Sequence, residues 1–168
     1  VAPTVISYAA LAHACERGHA WANAVACLDL VHEVHIEPSV MLYSSAVSAC
    51  AKGEQWSRAL QTFAALQASG IPLDVVSYNA AISACDHIGW WALALSLLRD
   101  VPLRGLRATR ITYNAALSSC RVSSNWALAL QLFQEMHCTG VGHDMISFNS
   151  LIASCERAGL WQLCLGLL

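Results

Sequence analysis

The chain has 168 residues, of which 57% are hydrophobic and only 12% are charged, about half of the ~25% charge of ordinary soluble domains. The formal net charge of −2 argues against a uniformly basic nucleic-acid-binding surface, because phosphate binding is normally driven by excess Lys and Arg. No uncharged apolar run reaches the ~18 residues of a membrane-spanning helix, so no membrane span is predicted.

Three landmarks recur along the whole sequence with a spacing of 35 residues and no insertion or deletion. They are an aromatic residue, a cysteine and a tryptophan, and a fixed period of this size predicts a solenoid of stacked repeats. The landmarks are Tyr8, Tyr43, Tyr78, Tyr113 and Phe148; Cys15, Cys50, Cys85, Cys120 and Cys155; and Trp21, Trp56, Trp91, Trp126 and Trp161.

The period divides the chain into repeats of helix, turn and helix, which predicts an all-α fold. Repeat 1 covers 5–39, repeat 2 covers 40–74, repeat 3 covers 75–109, repeat 4 covers 110–144, and a partial repeat 5 covers 145–168. Residues 1–4 resemble the tail of a preceding repeat, so we expect a piece of a longer protein.

Repeat 2 illustrates the expected helices. An apolar stripe with helical spacing predicts a first helix over 41–51, and Gly53 indicates the turn that ends it. The second helix is predicted to start near Trp56 and to end at Ser69 and Gly70. Repeat 1 carries His35 where later repeats have Gly, which predicts a tighter or more strained connection. In repeat 4, Asn125 is expected to supply the turn or a helix cap.

The repeated cysteines and tryptophans are interpreted as core residues. Free cysteine is among the most buried residue types, so thiols in a reducing compartment are favoured over a ladder of disulfides. The indoles on the stripe of the second helix are expected between helices, with Trp90 as the exposed exception. Cys27, Cys138 and Cys164 lack metal-ligand spacing, and His32 and His35 form at most half a site, so no metal or cofactor is predicted.

The sequence contains no glycine-rich phosphate loop and no nucleophile elbow, and solenoids present extended surfaces instead of enclosed pockets. We therefore expect no catalytic residues in this segment, and a binding or structural role instead.

The run Tyr78, Asn79, Ala80, Ala81, Ile82, followed by Cys85 and by Ala94 with Leu95, resembles the pentatricopeptide repeat, and repeat 4 is similar in the same way. The repeated Trp is a departure from the usual pattern. The resemblance implies a right-handed superhelix in which the first helices line a concave groove. It also implies binding of single-stranded RNA in an organelle, one base per repeat.

In the family, the fifth and last residues of a repeat read the base, and the apolar second residue stacks on it. These positions imply the base-reading residues Ser44, Asp74, Asn79, Thr109, Asn114, Asp144 and Asn149, and the stacking residues Ile6, Met41, Val76, Ile111 and Ile146. Asn114 with Asp144 resembles the uridine pair, Ser44 with Asp74 a guanine pair, and Asn79 with Thr109 a degenerate pyrimidine pair. Ala9 with Ser39 in repeat 1 matches no pair. Asn can equally be a solvated polar residue on an open groove.

Phosphate contact in the family is made by a basic residue near the end of the first helix, which here implies Arg17, Lys52 and Arg157. Acidic residues one position earlier are expected to offset these cations; they are Glu16, Asp86 and Glu156.

Two functions remain open from the sequence. One is an RNA-binding solenoid in a mitochondrion or plastid, acting in RNA processing, stability or translation. The other is a structural subunit that binds proteins in a large organellar assembly such as a ribosome. Low charge and the acidic residues favour the second function, and the Asn residues at the reading position favour the first.

Overall fold

A computed structural model describes residues 4–123, 125–160 and 162. Trp161, Cys164 and most of the predicted tail of a preceding repeat lie outside the described residues. The described residues form nine α-helices and no strand. They are α1 Val5–Arg17, α2 Trp21–Glu33, α3 Val40–Lys52, α4 Trp56–Ala68, α5 Val75–Ile88, α6 Trp91–Leu103, α7 Arg110–Val122, α8 Trp126–Cys138 and α9 Met145–Arg157.

First helices begin every 35 residues, and the side chain of the residue before α3, α5, α7 and α9 caps the helix. The last residue of the preceding repeat occupies the N-cap position, where a short polar side chain accepts a hydrogen bond from a free backbone N–H. Ser39 accepts from the Leu42 N–H at 3.3 Å, and Asp144 accepts from the Ser147 N–H at 2.9 Å. The observed α3 therefore starts at Val40, one residue before the predicted start.

The chain consists of two compact bodies, Val1–Ala84 and Cys85–Leu168. In the first body α2 packs on α1 and α3, and α1 also packs on α3. In the second body α8 packs on α7 and α9, and α7 also packs on α9. The second helices α2 and α8 thus each lie between two successive first helices, which is how a repeat buries apolar faces that it cannot bury alone.

Small residues allow these helices to approach each other closely. The alanine that repeats at the start of the second helix is fully buried at Ala24, Ala59, Ala94 and Ala129. The predicted core tyrosines Tyr43, Tyr78 and Tyr113 are also buried, whereas Tyr8 in the first repeat is only partly buried.

Four of the five periodic cysteines are buried. Burial raises the pKa of Cys85 to about 12 and the pKa of Cys120 to about 11, because a thiolate is poorly solvated among apolar atoms. These thiols are therefore protonated and unreactive at neutral pH, as expected of core residues.

The tryptophans differ from the expectation that they fill the core. Trp21, Trp56 and Trp126 are only partly buried, and Trp91 is 37% exposed, next to Trp90 at 52%. The reason is visible at Trp21, whose indole covers the turn of the next repeat. A Cβ on Gly53 would lie 2.4 Å from the indole Cδ1 atom. The guanidinium carbon of Arg58 lies 5.2 Å from the centre of the ring.

Two connections confirm details of backbone geometry. His35 has a φ of +56°, in the left-handed region that its counterparts Gly70, Gly105 and Gly140 adopt without a Cβ penalty. Asn125 caps α8 by accepting a hydrogen bond from the Leu128 N–H at 3.4 Å.

Candidate nucleic-acid interface

The five apolar residues at the second position of each repeat are exposed. Their exposed fractions lie between 53% and 80%, although in four of the five the next residue along the helix is buried; they are Ile6, Met41, Val76, Ile111 and Ile146. Water-exposed aliphatic side chains at one fixed register are costly for a protein to keep without a ligand or partner. In each body this register marks one face of the first helices.

Asn114, three residues after Ile111 on α7, contacts Asp144, the last residue of repeat 4. The Asn114 amide Nδ2 donates to both carboxylate oxygens of Asp144, at 3.0 and 3.2 Å. Asn114 is 8% exposed, whereas the Asp144 side chain keeps 29% of its surface exposed. The pair therefore presents mainly the carboxylate and the edge of the amide to the face.

The carboxyl group of Asp144 is held ionised. The backbone N–H of Ser147 is the main cause that lowers its pKa; partial burial raises it, and the Asn114 amide and the Arg110 charge lower it further. The Arg110 Nε atom lies 3.3 Å from Asp144 Oδ2. A charged acceptor beside an amide is suited to a ligand that carries an N–H group.

The corresponding residues of repeat 2 are arranged differently. Ser44 is buried, and its hydroxyl donates to the backbone oxygen of Met41 at 3.1 Å. Asp74 accepts hydrogen bonds from the backbone N–H and the hydroxyl of Ser77. Both predicted reading residues thus spend their hydrogen-bonding groups on the local backbone and cap.

The other predicted reading residues have separate surroundings. Asn79 is partly buried, and its Oδ1 atom has no hydrogen-bond partner among the described residues. Thr109 is exposed and caps α7 through a reciprocal pair of hydrogen bonds with Thr112. Asn149 is exposed on α9. Asn149 thus offers an amide to solvent, whereas Asn79 holds its carbonyl oxygen away from it.

The predicted phosphate contacts are partly neutralised. Lys52 Nζ donates to Glu16 Oε1 at 2.8 Å, and the Ser48 hydroxyl donates to the same oxygen at 2.7 Å. Burial raises the pKa of Glu16, but hydrogen bonds from Lys52 and Ser48 outweigh it, and the net pKa is lowered. Arg17 and Arg157 are exposed at the ends of α1 and α9.

Asp86 occupies the position of Glu16 in repeat 3 and is less well accommodated. Its Oδ1 atom is buried without a hydrogen-bond partner among the described residues. Burial raises the pKa of its carboxyl group, against the opposing charges of His87 and Arg121. Burial therefore disfavours the ionised form of this carboxyl group.

Two functional features were missed in the sequence. The first is that the last residue of a repeat is also the N-cap of the next helix. The sequence signal for it is the Ser, Thr or Asp that stands directly before each apolar run. The second is the buried Ser147, whose hydroxyl lies 2.6 Å from Asn114 Oδ1. Nothing in its spacing distinguishes Ser147 from other small buried residues.

Within residues 4–123, 125–160 and 162, no cluster of three or more His, Cys, Asp or Glu side chains is arranged to hold a metal ion. Over the same described residues, no helix combines the length and the apolar character needed to cross a bilayer.

Solved structures share the fold of this chain. The pentatricopeptide repeat protein PPR10 from maize matches with a TM-score of 0.73 and 25% identity over 99% of this chain and 24% of its own. PPR10 in complex with an 18-nucleotide RNA element matches with a TM-score of 0.77 and 23% identity over 96% and 24%. The chain thus spans about a quarter of the length of PPR10.

A further neighbour is the pentatricopeptide repeat domain of protein-only RNase P 1 from Arabidopsis thaliana, determined in complex with tRNA. It has a TM-score of 0.80 and 12% identity over 92% of this chain and 83% of its own. These matches show an all-α helical-repeat solenoid fold. No curated protein matches the sequence significantly.

The model of the pentatricopeptide repeat domain matches residues 1–53, 61–121 and 96–158. Together these segments cover most of the 168 residues, with overlapping matches in the second half. The chain belongs to the pentatricopeptide repeat family.

Proposed function

We propose that this chain binds single-stranded RNA along the exposed face of its first helices, at about one base per repeat. The observation that carries the proposal is the Asn114–Asp144 pair, which lies three residues beyond an exposed aliphatic side chain, Ile111. The aliphatic group offers a dry surface to a base, and the pair offers a donor and an acceptor to its edge. The RNA complexes of PPR10 and of the RNase P domain support it.

The pairs assign bases to the repeats. Repeat 4 reads uracil, since the Asp144 carboxylate accepts the ring N–H while the Asn114 amide donates to a carbonyl oxygen. Repeat 2 reads guanine when the Ser44 hydroxyl rotates away from Met41. Repeat 3 accepts a pyrimidine through Asn79 and Thr109, and Asn149 begins a fifth reading position. The division into five repeats, 5–39 to 145–168, sets this register.

The binding test uses short single strands that carry guanine, a pyrimidine and uracil in succession, synthesised in both orders. Their affinities are compared with those of strands in which the uracil is replaced. Asn114→Ala is expected to weaken binding to the uracil strand about tenfold, since a base-edge hydrogen bond and its unsatisfied partner are both affected. Gln131→Ala, an exposed residue on α8, is the control and is expected to change nothing. Absence of binding by the unaltered chain, or equal loss in both variants, contradicts the proposal.

The ion pair between Glu16 and Lys52 sets the electrostatic part of binding. Three cations at the predicted phosphate positions give a slope of roughly −2 in log affinity against log salt, at ~0.7 per neutralised phosphate on a single strand. Because Glu16 occupies Lys52, the unaltered chain is expected to show a shallower slope. Glu16→Gln should steepen this slope by about 0.7. Lys52→Gln should leave the slope at the value of the unaltered chain.

The organellar role is a proposal that extends from the family. We place the chain in a mitochondrion or plastid, in RNA processing, RNA stability or translation, without a catalytic group of its own. Localisation of the tagged full-length protein tests the compartment. RNA recovered with it after crosslinking tests the process.

A structural role in a large organellar assembly is the second candidate. The net charge of −2 and the neutralised Lys52 favour it, because a protein surface needs no excess of cations. It predicts that the protein purifies from its compartment with a protein complex of defined size. Salt up to about 0.5 M, which screens Coulombic contacts, should leave that complex intact. Salt-sensitive binding to a single strand with the assigned bases decides against it.

A further inference from the structure

The hydroxyl of Ser147 joins the two side chains of the Asn114–Asp144 pair. Ser147 is the third residue of α9 and has no exposed surface. Its Oγ atom lies 2.6 Å from Asn114 Oδ1 and 3.0 Å from Asp144 Oδ1. We propose that Ser147 is a positioning residue that fixes the orientation of the Asn114 amide and thereby makes repeat 4 discriminate uracil from cytosine. The inference rests on the proposed function and adds a determinant from the following repeat.

The hydrogen bonds around Ser147 assign its single proton. A serine hydroxyl has one donor and two acceptor sites. The backbone N–H of Asp144 donates to Ser147 Oγ at 3.2 Å, so one acceptor site is used. Asp144 Oδ1 already accepts from the Ser147 N–H at 2.9 Å and from Asn114 Nδ2 at 3.0 Å. The hydroxyl proton therefore goes to Asn114 Oδ1, the shorter contact.

This arrangement leaves the Asn114 amide with one orientation. In the observed state its oxygen accepts from Ser147 and its nitrogen faces the Asp144 carboxylate. A flipped amide would place its oxygen against the carboxylate and its nitrogen against a hydroxyl already committed as a donor. The contact between the amide oxygen and the carboxylate would be repulsive, and the nitrogen would find an acceptor in Ser147 Oγ only if the hydroxyl proton turned to Asp144, so the flipped state is disfavoured.

A fixed amide favours one pyrimidine. A single N–H that points between the two Asp144 oxygens satisfies both distances, and the second N–H remains for a base. Uracil offers carbonyl oxygens beside its ring N–H, whereas cytosine presents an amino donor in place of one of them. A donor from Asn114 therefore meets an acceptor on uracil and another donor on cytosine.

The test compares Ser147→Ala, Ser147→Thr and Ser154→Ala for binding to two strands that differ only by uracil or cytosine facing repeat 4. Ser147→Ala removes the hydroxyl, and Ser147→Thr keeps it. Ser154 is equally buried, and its hydroxyl donates to the Ser150 backbone oxygen at 2.8 Å, so Ser154→Ala is matched in burial and lies outside the pair. The preference for uracil is expected to fall about fivefold in Ser147→Ala alone, the usual net effect of one hydrogen bond.

The outcomes separate this inference from the proposed function. An unchanged preference in Ser147→Ala, or an equal fall in Ser154→Ala, overturns the positioning role while RNA binding stands. If the unaltered chain binds no RNA, the proposed function fails. The positioning role is then tested by the NMR signals of the Asn114 side-chain amide protons. Two sharp amide proton signals in the unaltered chain and in Ser154→Ala, broadened by exchange in Ser147→Ala, support the role. Identical signals in all three overturn it.

Discussion

The junction after repeat 2 and the junction after repeat 4 begin with the same local chemistry. Each has an Asp as the last residue of the repeat and a Ser three residues later, and the Asp caps the next helix in both. The Ser77 hydroxyl, however, donates to Asp74, whereas the Ser147 hydroxyl reaches Asn114 in the preceding repeat. Both serines thus take part in the cap of their own helix, and Ser147 in addition contacts Asn114.

The side chain at the fifth position causes the difference. Ser44 is short, and its hydroxyl turns back to the Met41 carbonyl of its own helix. Asn114 is longer by the amide group and reaches both Asp144 and Ser147 across the repeat boundary. The comparison indicates that the longer side chain at the fifth position adds, to a cap between two repeats, a contact with the first helix of the preceding repeat.

Replacing the capping aspartates gives the largest expected difference between the junctions. Asp74→Ala should lower the free energy of unfolding by about 1 kcal/mol, the usual cost of a lost cap. Asp144→Ala should lower it by about 2 to 3 kcal/mol, because it also leaves the nearly buried Asn114 amide without its acceptor. Urea denaturation followed by circular dichroism measures both. Equal losses would show that the Asn114 contact contributes no stability.

Giving repeat 2 the longer side chain tests the same cause in the opposite direction. Ser44→Asn should connect the fifth position to Asp74 and shift the preference of repeat 2 from guanine to uracil by about fivefold to tenfold, the range of one or two hydrogen bonds. Ser44→Thr retains a hydroxyl and is the control. Competition between strands that differ at this base provides the measurement. An unchanged preference for guanine would show that the length of the side chain at the fifth position does not determine which base is preferred.

Acidification gives the smallest expected effect and concerns the junction after repeat 4. The pKa of folded Asp144 lies below its usual value, chiefly through the Ser147 N–H. Its contribution to stability is therefore fully present above the ordinary Asp pKa of ~3.9 and is lost as the pH falls through the folded pKa. The stability difference between the unaltered chain and Asp144→Asn should shrink between about pH 5 and pH 2. A constant difference would show that Asp144 has the same pKa in both states.

The repeat period made the helices predictable. An apolar stripe and Gly53 placed the first helix of repeat 2 within one residue at each end, at Val40–Lys52 instead of 41–51. The error came from the cap, because Ser39 ends its repeat and starts the next helix. The partial exposure of the indoles was not predictable from the stripe, since Trp21 packs on a turn of another repeat that only the fold brings near.

The candidate site was predictable only by position. The resemblance identified Asn114 and Asp144 as a pair, and the structure brings them into contact. It also identified Ser44 with Asp74, whose hydrogen bonds go elsewhere. The contacts of Glu16 and Ser147 join different repeats, so the direction of each hydrogen bond depends on helix packing that no local pattern encodes.

The double duty of the terminal residue of each repeat limits which side chains recognition can use there. Ser39, Thr109 and Asp144 all accept a backbone N–H at the start of a helix. Substitutes outside the small group of good caps would weaken the helix that positions the next reading residue. Variants of this chain designed for new RNA targets would therefore have to keep a capping residue here in order to fold, whatever their affinity for RNA. Under the proposed function, the choice of residue at this position is limited by helix capping as well as by base recognition.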